Sequence, residues 1–433
     1  MGRRIMKNMR ITAILLAAAM VFSLTACGKS TTTSSSGSTA ATKEKVVLNF
    51  YDWTDEQTYL DPAVKAYNEQ SKVAQVKVTY FPATEYAEKI LSAFSSQTKF
   101  DVLGVNGVSP YGQYQDKKTL VDISKYVKDS KLDTSVYGSV FQQCNANGIF
   151  GLPYRQSDWL IFANKKLFKD AGIEIPTKQL TWDEYRELAK KLTKGTGDKK
   201  TYGGLVGMDN WVIMQQLGGS VMDKDTTIIR KALQTWKQLE DDGSHVPFKE
   251  KLEMGQNAGT LFSTAPATKV AMFQNGTWGV AALNTKVAKG ELPFDYAVMP
   301  MPIPEGSKEY TSPCGMNFFS IPKSSEHPAE AYDFIQYMTT AKGAGIIAES
   351  GTLTAYNDAD IKATFIKAVK QSDDTLSKIV FSQNNQIEQK YDPNYAEVET
   401  ALKEEFQLYM IGEQDIDATM KKFESRRAEI VNK

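Results

Sequence analysis

The stretch VVLNFYDW, residues 46–53, is a run of β-branched and aromatic side chains that ends at the turn-forming pair Thr54 and Asp55. This composition predicts a β-strand. The chain after it alternates between helical and strand patterns: a helix over about 61–70, a strand over 76–82, a helix over 84–95 and a strand over 100–105. Such alternation indicates an α/β fold in which helices flank a mostly parallel sheet.

Longer helices are predicted further along the chain. The stretch TWDEYRELAKKL, residues 181–192, begins with Thr181 and carries Glu184 three residues later, which is the pattern of a capping box. Apolar side chains then repeat along one face, as they do in an amphipathic helix. Similar spacing predicts three more helical segments: 226–240, 328–338 and most of 395–431.

The first 26 residues have the three-part layout of a secretory signal peptide. Four basic residues and no acidic one precede an apolar run from Ile11 to Leu24, and small residues close it at Ala26. This run of about 14 residues is shorter than the roughly 20 that a membrane-spanning helix requires. The expectation is therefore that residues 1–26 are cleaved.

The tetrapeptide LTAC, residues 24–27, resembles the bacterial lipobox, in which the cysteine is diacylated and becomes the new N-terminus. Cys27 would then anchor the chain, because two acyl chains hold a protein at a membrane where one is marginal. An ordinary signal peptide with an incidental cysteine is the alternative. Residues 27–45 are rich in Ser and Thr and lack large apolar side chains, which predicts a flexible tether.

The composition of the remaining chain is that of a globular protein, with 42% hydrophobic and 24% charged residues in the full sequence. Removing four positive charges with residues 1–26 changes the formal net charge from 0 to 0 − 4 = −4, which argues against a nucleic-acid partner. About 390 residues follow the tether, too many for one core, so two lobes are expected. Cys144 and Cys314 could form one disulfide, which the sequence leaves undecided.

Common catalytic and metal-binding signatures are missing from the sequence. His245 and His327 are its only histidines, and neither has a second ligand at the spacing of a zinc site. One enzyme hypothesis stays open, a glycosidase, because glycoside hydrolysis needs only two suitably spaced carboxylates. Acidic residues at expected loop tips could supply them, or could be solvated turn formers: Asp52, Asp55, Glu56, Asp158 and Asp209.

The tryptophans suggest binding chemistry. Trp182 and Trp236 lie on predicted helix faces and are expected in the core. The other four lie at strand ends or beside glycine and polar residues, where the prediction is that they are exposed: Trp53, Trp159, Trp211 and Trp278. Flat aromatic rings beside carboxylates and amides suit a sugar, which has apolar C–H faces and a rim of hydroxyl groups.

Five stretches, in this order, resemble the extracellular solute-binding proteins of ABC transporters, in particular the large sugar-binding group that includes maltose-binding proteins. They are TKFDVLGVN (98–106), NGIFGLPYRQSDWLIFANKKLFKDAGIEIP (147–176) followed by TWDEY, TKVAMFQNGTWG (268–279), YAVMPMPIP (296–304) and MNFFSIPKSSEHPAEAYDFIQYMTT (316–340). The resemblance spans about 46–360. It departs from the family pattern at TKVAM, where GKAAM-like stretches are common, and at Ala163-Asn164, where Tyr-Asn is common.

The resemblance implies a periplasmic-binding-protein-like fold: two α/β lobes, each a mostly parallel sheet flanked by helices, joined by hinge crossings with the ligand cleft between them. The crossings are expected near 156–161, 314–318 and 351–356. The N-terminal lobe would comprise 46–158 plus about 316–352, and the C-terminal lobe 159–315 plus about 353–433.

The resemblance also implies which residues face the ligand. They are Trp53, Asp55, Glu56, Asn106, Tyr154, Arg155, Asp158, Trp278, Gly315 and Met316, with Trp211 and Tyr356 as weaker correspondences. Neither a cofactor nor a metal ion is implied, and the chain is expected not to be an enzyme.

The expected function is therefore that of an exported, lipid-anchored monomer on the outer face of the cytoplasmic membrane, in a bacterium without an outer membrane. It would capture a carbohydrate, in particular an oligosaccharide, by lobe closure and deliver it to the permease subunits of an ABC transporter. Two alternatives stay open at this point: the same fold binding a peptide or a polyamine, and a lipid-anchored glycosidase.

Overall fold

The first strand, β1, covers the stretch VVLNFYDW without any change of bounds, and the side chains of Leu48 and Phe50 are fully buried on one of its faces. The structure is a computed structural model that describes residues 45–145, 147–206, 211–253, 269–369, 375–380, 386–389 and 392–432. The predicted signal peptide (1–26), the tether up to residue 44 and the lipidation site Cys27 lie outside the described residues.

The described strands are β1 Val46–Trp53, β2 Ala74–Phe81, β3 Val102–Val105, β4 Gly151–Asn164, β5 Tyr202–Leu205, β6 Val270–Gly276, β7 Tyr296–Pro300, β8 Pro313–Ser320 and β9 Gln386–Ile387. The described α-helices are α1 Gln57–Gln70, α2 Ala83–Ser95, α3 Val108–Asp116, α4 Ser124–Asp129, α5 Gly138–Cys144, α6 Lys165–Ala171, α7 Trp182–Leu192, α8 Val212–Gln216, α9 Thr227–Asp241, α10 Phe248–Glu253, α11 Trp278–Ala288, α12 Pro328–Thr339, α13 Ala341–Glu349, α14 Ala359–Val369, α15 Thr375–Val380, α16 Tyr395–Met410 and α17 Ile416–Val431. Short 3₁₀ helices span Thr54–Glu56, Thr134–Tyr137 and Gly197–Lys199. None of the described helices is long and apolar enough to cross a membrane.

The predicted helices are present, with small shifts of their ends. Helix α7 begins with the capping box: the Thr181 side chain accepts from Glu184 N at 3.2 Å, and the Glu184 carboxylate accepts from Thr181 N at 2.9 Å. The C-terminal helical stretch is divided into α16 and α17 by a turn at Gly412, whose φ of 84° favours glycine. The helices predicted from local sequence patterns are therefore present in the structure.

Strand β4 is the longest of the described strands and links two groups of strands. Strands β2, β1 and β3 are parallel, and β8 pairs antiparallel with β3 and with the first half of β4. The second half of β4 pairs antiparallel with β6 and β7, and β5 lies parallel to β6. The parallel ladders with helices around them confirm the predicted α/β fold, and the antiparallel ladders all involve β4 or β8.

The apolar side chains form three cores along β4: its first half packs in the first core, and the two faces of its second half pack in the second and third cores. The first core is built around Phe50, Leu103 and Phe319 and includes Tyr154. The second core contains Trp182, Trp211, Trp236 and Phe406, and the third contains Phe162, Phe273 and Phe365. Trp182 and Trp236 are 5% and 0% exposed, which confirms that they are core residues. The lobe boundaries given above stay a prediction.

The three segments predicted as crossings lie side by side. Gln156 pairs with Met316 in the β4–β8 ladder, and Gln156 N donates to Leu353 O at 3.2 Å. Ala355 N donates to Tyr154 O at 3.2 Å. Cys314 and Cys144 are both buried and both free thiols. The chain therefore passes between the cores through one bundle of hydrogen-bonded strands.

Candidate functional site

A cleft of about 850 Å³ opens between elements of the first core and elements around β4, β8 and α11. Its size lies in the upper part of the range of pockets that hold small organic ligands, roughly 300–1,000 Å³. Seven of the residues predicted to face the ligand line this cleft: Trp53, Asp55, Glu56, Asn106, Arg155, Trp278 and Gly315. Residues that are far apart in sequence are thus brought to one concave surface.

Five of the predicted residues lie elsewhere, and for most of them the reason is the alternation of side chains along a strand. On β4, Arg155, Ser157 and Trp159 face the cleft, so Tyr154 and Asp158 are buried on the other side. On β8, Gly315 and Asn317 face the cleft. Met316 therefore lies on the opposite face and, with Tyr356, lines a separate cavity of about 100 Å³ behind the crossing strands. Trp211 is buried in the second core.

The floor of the cleft is an ion pair between the loop after β1 and the first crossing. Arg155 Nη1 lies 3.0 Å from Glu56 Oε1, and the two side chains are 12% and 1% exposed. Tyr154, although it does not reach the cleft, donates from its hydroxyl to Glu56 Oε2 at 2.6 Å. With its amide oxygen turned toward the guanidinium, Asn317 accepts from Arg155 Nη2 at 2.6 Å. The network holds both charges in fixed positions.

Two buried carboxyl groups under this floor have raised pKa values. Burial raises the pKa of Glu56, and the positive charge of Arg155 and the Tyr154 hydroxyl partly oppose the rise. Burial and the neighbouring charge of Glu56 raise the pKa of Asp52 well above its usual range. Asp52 Oδ1 accepts from Trp53 N at 2.8 Å, and its Oδ2 has no hydrogen-bond partner among the described residues. Arg155 and Tyr154 therefore favour the charged form of Glu56, while burial disfavours the charged form of both carboxyl groups.

Asp52 and Asp158 were expected at loop tips, and that prediction is wrong. Both carboxyl groups are fully buried, because Asp52 is the next-to-last residue of β1 and Asp158 lies in the middle of β4. Asp209 lies outside the described residues. A pair of carboxylates for glycoside hydrolysis therefore cannot be drawn from these two positions.

The tryptophan prediction is correct for one residue of four. Trp278 is 37% exposed, whereas Trp53, Trp159 and Trp211 are 3%, 6% and 1% exposed. Trp278 meets Trp159 edge to face, with ring centroids 4.9 Å apart, so the cleft wall carries one open ring supported by another. Gly276 is required beside it, since a Cβ there would lie 1.8 Å from the Trp278 ring. The NGTWG stretch thus positions a flat apolar surface.

Several polar side chains on the cleft wall were not among the residues predicted to face the ligand. Glu388 and Gln389 follow the two-residue strand β9, which pairs with β8 at Pro313 and Cys314. Glu388 packs against Gly315, where a Cβ would lie 2.5 Å from Glu388 Oε2. Burial, reinforced by the charge of Glu399, raises the pKa of Glu388 to about 7. Periodicity could have indicated two other polar members, Ser157 and Asn317, which lie on the cleft-facing side of β4 and β8.

The remaining wall is polar and of mixed charge. Around the open ring of Trp278 and the floor, these side chains supply hydroxyl, ammonium and carboxylate groups: Thr58, Tyr59, Thr285, Lys286, Lys289, Glu291, Ser350 and Thr352. No cluster of metal-ligating side chains occurs in the described part of the chain. An aromatic platform with convergent hydrogen-bonding groups is suited to reversible binding of a polar ligand with apolar faces.

Comparison with known proteins is consistent with this chemistry. The sequence profile of the bacterial extracellular solute-binding protein family matches residues 52–345. The multiple sugar-binding protein of Streptococcus mutans is 22% identical over 420 residues, which cover 87% of this chain and 86% of that protein.

Two solved structures share the fold across nearly the whole of their chains. A sugar transporter of Rhizobium etli, in an open conformation, has a TM-score of 0.77 and 24% identity and covers 88% of this chain and 99% of its own. An ABC substrate-binding protein of Listeria monocytogenes, in complex with cycloalternan, has a TM-score of 0.78 and 19% identity and covers 90% of this chain and 100% of its own. The predicted two-lobed α/β fold is thereby confirmed. These relatives are transport components rather than enzymes, which confirms the prediction that the chain is not an enzyme.

Proposed function

This chain belongs to the bacterial extracellular solute-binding protein family, and we propose that it captures an oligosaccharide in the cleft between its first core and the other two. The proposal rests on the composition of the cleft wall. Trp278 is open to solvent, Trp159 supports its ring, and Arg155 and Asn317 lie on the floor below. A ring of this kind excludes water from the apolar face of a sugar, while charged and amide groups hydrogen-bond its hydroxyls.

An oligosaccharide suits the cleft better than a single sugar unit. The volume of about 850 Å³ and the distribution of polar groups along the wall, from Thr58 to Thr352, leave room for several contacts in a row. The name of the Streptococcus mutans relative and the cycloalternan bound to the Listeria monocytogenes protein support a carbohydrate ligand. The residues that we assign to ligand contact are Trp53, Asp55, Glu56, Asn106, Arg155, Trp278 and Gly315, with Glu388 added to them.

Capture would occur by closure of the two lobes about the crossing strands. A ligand that touches both walls stabilises the conformation in which the walls approach, by its difference in affinity for the two conformations. No covalent chemistry is required, and a transporter can distinguish the loaded protein by its shape. The lobes would be those predicted above, and the protein would act as a monomer.

The N-terminal segment supports a second part of the proposal, that the chain is exported and held at the outer face of the membrane. Diacylation of Cys27 and the tether of residues 27–45 would keep the binding body close to permease subunits. Cys27→Ala tests this part: metabolic labelling with a tritiated fatty acid should be lost, and the protein should appear in the medium. Labelling that persists in the variant would contradict lipidation at Cys27.

The ligand class is tested by titrating the full chain with mono- and oligosaccharides, amino acids, peptides and polyamines while tryptophan fluorescence is recorded. We expect a saturable change with one group of oligosaccharides, because Trp278 lies open in the cleft. Chromatography after long incubation should show the glycan unchanged. Saturation by polyamines or peptides alone would contradict the carbohydrate assignment, and a released product would contradict the binding-only function.

Delivery to a permease is tested in cells of the source organism. Deletion of the coding gene should abolish uptake of the radiolabelled glycan that binds the purified protein, and expression of the wild-type chain should restore it. A binding-deficient variant such as Trp278→Ala should restore uptake only in part. Unchanged uptake in the deletion strain would contradict the transport role.

A further inference from the structure

A short strap, defined as residues 386–389, adds to the crossing strands at the start of β8 and contacts elements of the first and second cores. Its first half adds to β8, where Gln386 N donates to Ser312 O and Glu388 N donates to Cys314 O, both at 3.0 Å. Ile387 packs against the first core. The strap is therefore fixed at the junction of the cores by backbone hydrogen bonds.

The second half of the strap is held from both sides of the junction. Gln215, a buried residue of α8 in the second-core region, donates from its amide to the carbonyl oxygen of Glu388. Gln389 extends in the other direction and accepts from Ser109 N at 3.2 Å. Ser109 lies in the first turn of α3, whose neighbours Val108 and Tyr111 belong to the first core. Rotation of the first core relative to α8 must break or strain one of these two bonds.

The hydrogen bond to Ser109 caps a helix that has no side-chain cap of its own. The N-cap residue of α3 is Gly107, with a φ of 104° and no side chain to accept from the first N–H groups. The Gln389 amide oxygen supplies that acceptor, as a Ser or Asp side chain would at an ordinary N-cap. Asn106, Gly107, Val108 and Gln389 all line the cleft, so this cap lies within the ligand-binding surface.

We propose that Gln389 is a positioning residue that sets ligand affinity by capping α3 across the junction of the cores and thereby stabilising the conformation that holds the ligand. The inference rests on the proposed function, because it assigns a role in the same cleft. Any interaction present only in the ligand-binding conformation raises the fraction of molecules in that conformation, and the apparent affinity rises in proportion. The strap thus acts as a latch beside the ligand.

Three variants separate the latch from other roles. Gln389→Met keeps the approximate size of the side chain and removes the cap. Gln389→Glu keeps an acceptor and places a negative charge at a helix N-terminus, which is favourable. Gln386→Ala, on the exposed part of the same strap, is the matched control. Maltotriose and mannotriose serve as probe ligands in isothermal titration of the full chain.

We expect Gln389→Met to weaken binding of the probe about fivefold, the size expected for loss of one neutral hydrogen bond. Gln389→Glu should bind at least as tightly as the wild type at pH 8, and Gln386→Ala should match the wild type. The increase in melting temperature that the probe causes should be smaller in Gln389→Met than in the wild type.

Equal affinity of Gln389→Met and Gln386→Ala would overturn the inference. Equal losses in Gln389→Met and Gln389→Glu would also overturn it, because they would show that the amide N–H₂ group binds the ligand directly. If the wild type binds neither probe, the proposed function loses support, and small-angle X-ray scattering still tests the latch without ligand. Ligand-free Gln389→Glu should then have a smaller radius of gyration than Gln389→Met, and equal radii would refute the latch.

Discussion

Replacing Arg155 by Met should destabilise the protein far more than replacing its partner Glu56 by Gln. The guanidinium lies 3.0 Å from the Glu56 carboxylate, which is only 1% exposed, and it also binds Asn317. Arg155→Met leaves a buried carboxylate without a counter-charge. Glu56→Gln keeps an acceptor for the Tyr154 hydroxyl and leaves a guanidinium that is 12% exposed and borders the cleft.

The expected magnitudes follow from this asymmetry. Removing one partner of a buried ion pair costs about 3–5 kcal/mol, because the other charge stays buried and unpaired. Glu56→Gln should cost about 1–2 kcal/mol, the scale of a lost charged hydrogen bond in a partly hydrated site. The double variant should be more stable than Arg155→Met alone, since it contains no isolated charge. The two substitutions should therefore be strongly non-additive.

The pH dependence has a definite sign. Burial already raises the pKa of Glu56 above its usual 4.5, and loss of Arg155 raises it further. Between the unfolded and folded pKa values the folded state binds more protons, so the free energy of unfolding of Arg155→Met falls as pH rises. The deficit relative to the wild type should be larger at pH 8 than at pH 5.

Urea unfolding followed by tryptophan fluorescence measures these differences at both pH values. Lys125→Met, which removes an exposed ion pair with Asp129, is the matched control and should change stability by less than about 1 kcal/mol. The reasoning is refuted if the double variant is as unstable as Arg155→Met, or if the deficit of Arg155→Met is the same at pH 5 and pH 8.

Three further changes test separate parts of the structure. Trp278→Ala should weaken oligosaccharide binding about tenfold, or about 1.4 kcal/mol, in calorimetric titration, while Trp236→Phe in the second core should lower stability and leave affinity unchanged. Gly104→Ala should lower the free energy of unfolding by about 1–3 kcal/mol in urea, because its Cβ would lie 2.7 Å from the buried Asp52 carboxyl; an unaltered midpoint would contradict that packing. Burial lowers the pKa of His245 from 6.5 to about 3, so the unfolded state binds the extra proton and His245 alone should contribute a loss of about 1.6 kcal/mol of stability from pH 6.5 to pH 5; the difference in unfolding free energy between His245→Gln and the wild type should shift by that amount in favour of the variant, and a difference that is the same at both pH values would refute it.

Local signals in the sequence predicted the elements well. The VVLNFYDW strand, the Thr181–Glu184 capping box and the amphipathic helices depend on residues within one or two turns of each other, and all are present. The direction of side chains on β4 could also have been predicted, because side chains alternate between the two faces of a strand. Once Arg155 is placed toward the cleft, Ser157 and Trp159 must lie on the same face and Asp158 on the other. A residue next to a cleft-facing residue in the sequence of β4 or β8 therefore lies on the opposite face of that strand.

The parts that escaped prediction depend on contacts between distant segments. Glu388 and Gln389 reach the cleft because a strand of only two residues pairs with β8, more than 70 positions earlier in the chain. Such a strand has no periodicity that the sequence could reveal. Trp53 is buried because Tyr86 meets its ring at 5.2 Å, and Trp211 because Phe406 meets its ring at 5.6 Å. Whether these tryptophans are exposed therefore depends on aromatic side chains that are distant in the sequence.

The most direct test of carbohydrate capture is isothermal titration of the full chain with a set of oligosaccharides, polyamines and peptides under the same conditions. If the chain captures carbohydrate, an oligosaccharide should occupy one saturable site per chain, with a negative heat-capacity change from burial of the Trp278 face, and polyamines and peptides should give no heat of binding. Saturable binding of a polyamine or a peptide, together with no binding of any oligosaccharide, would contradict it.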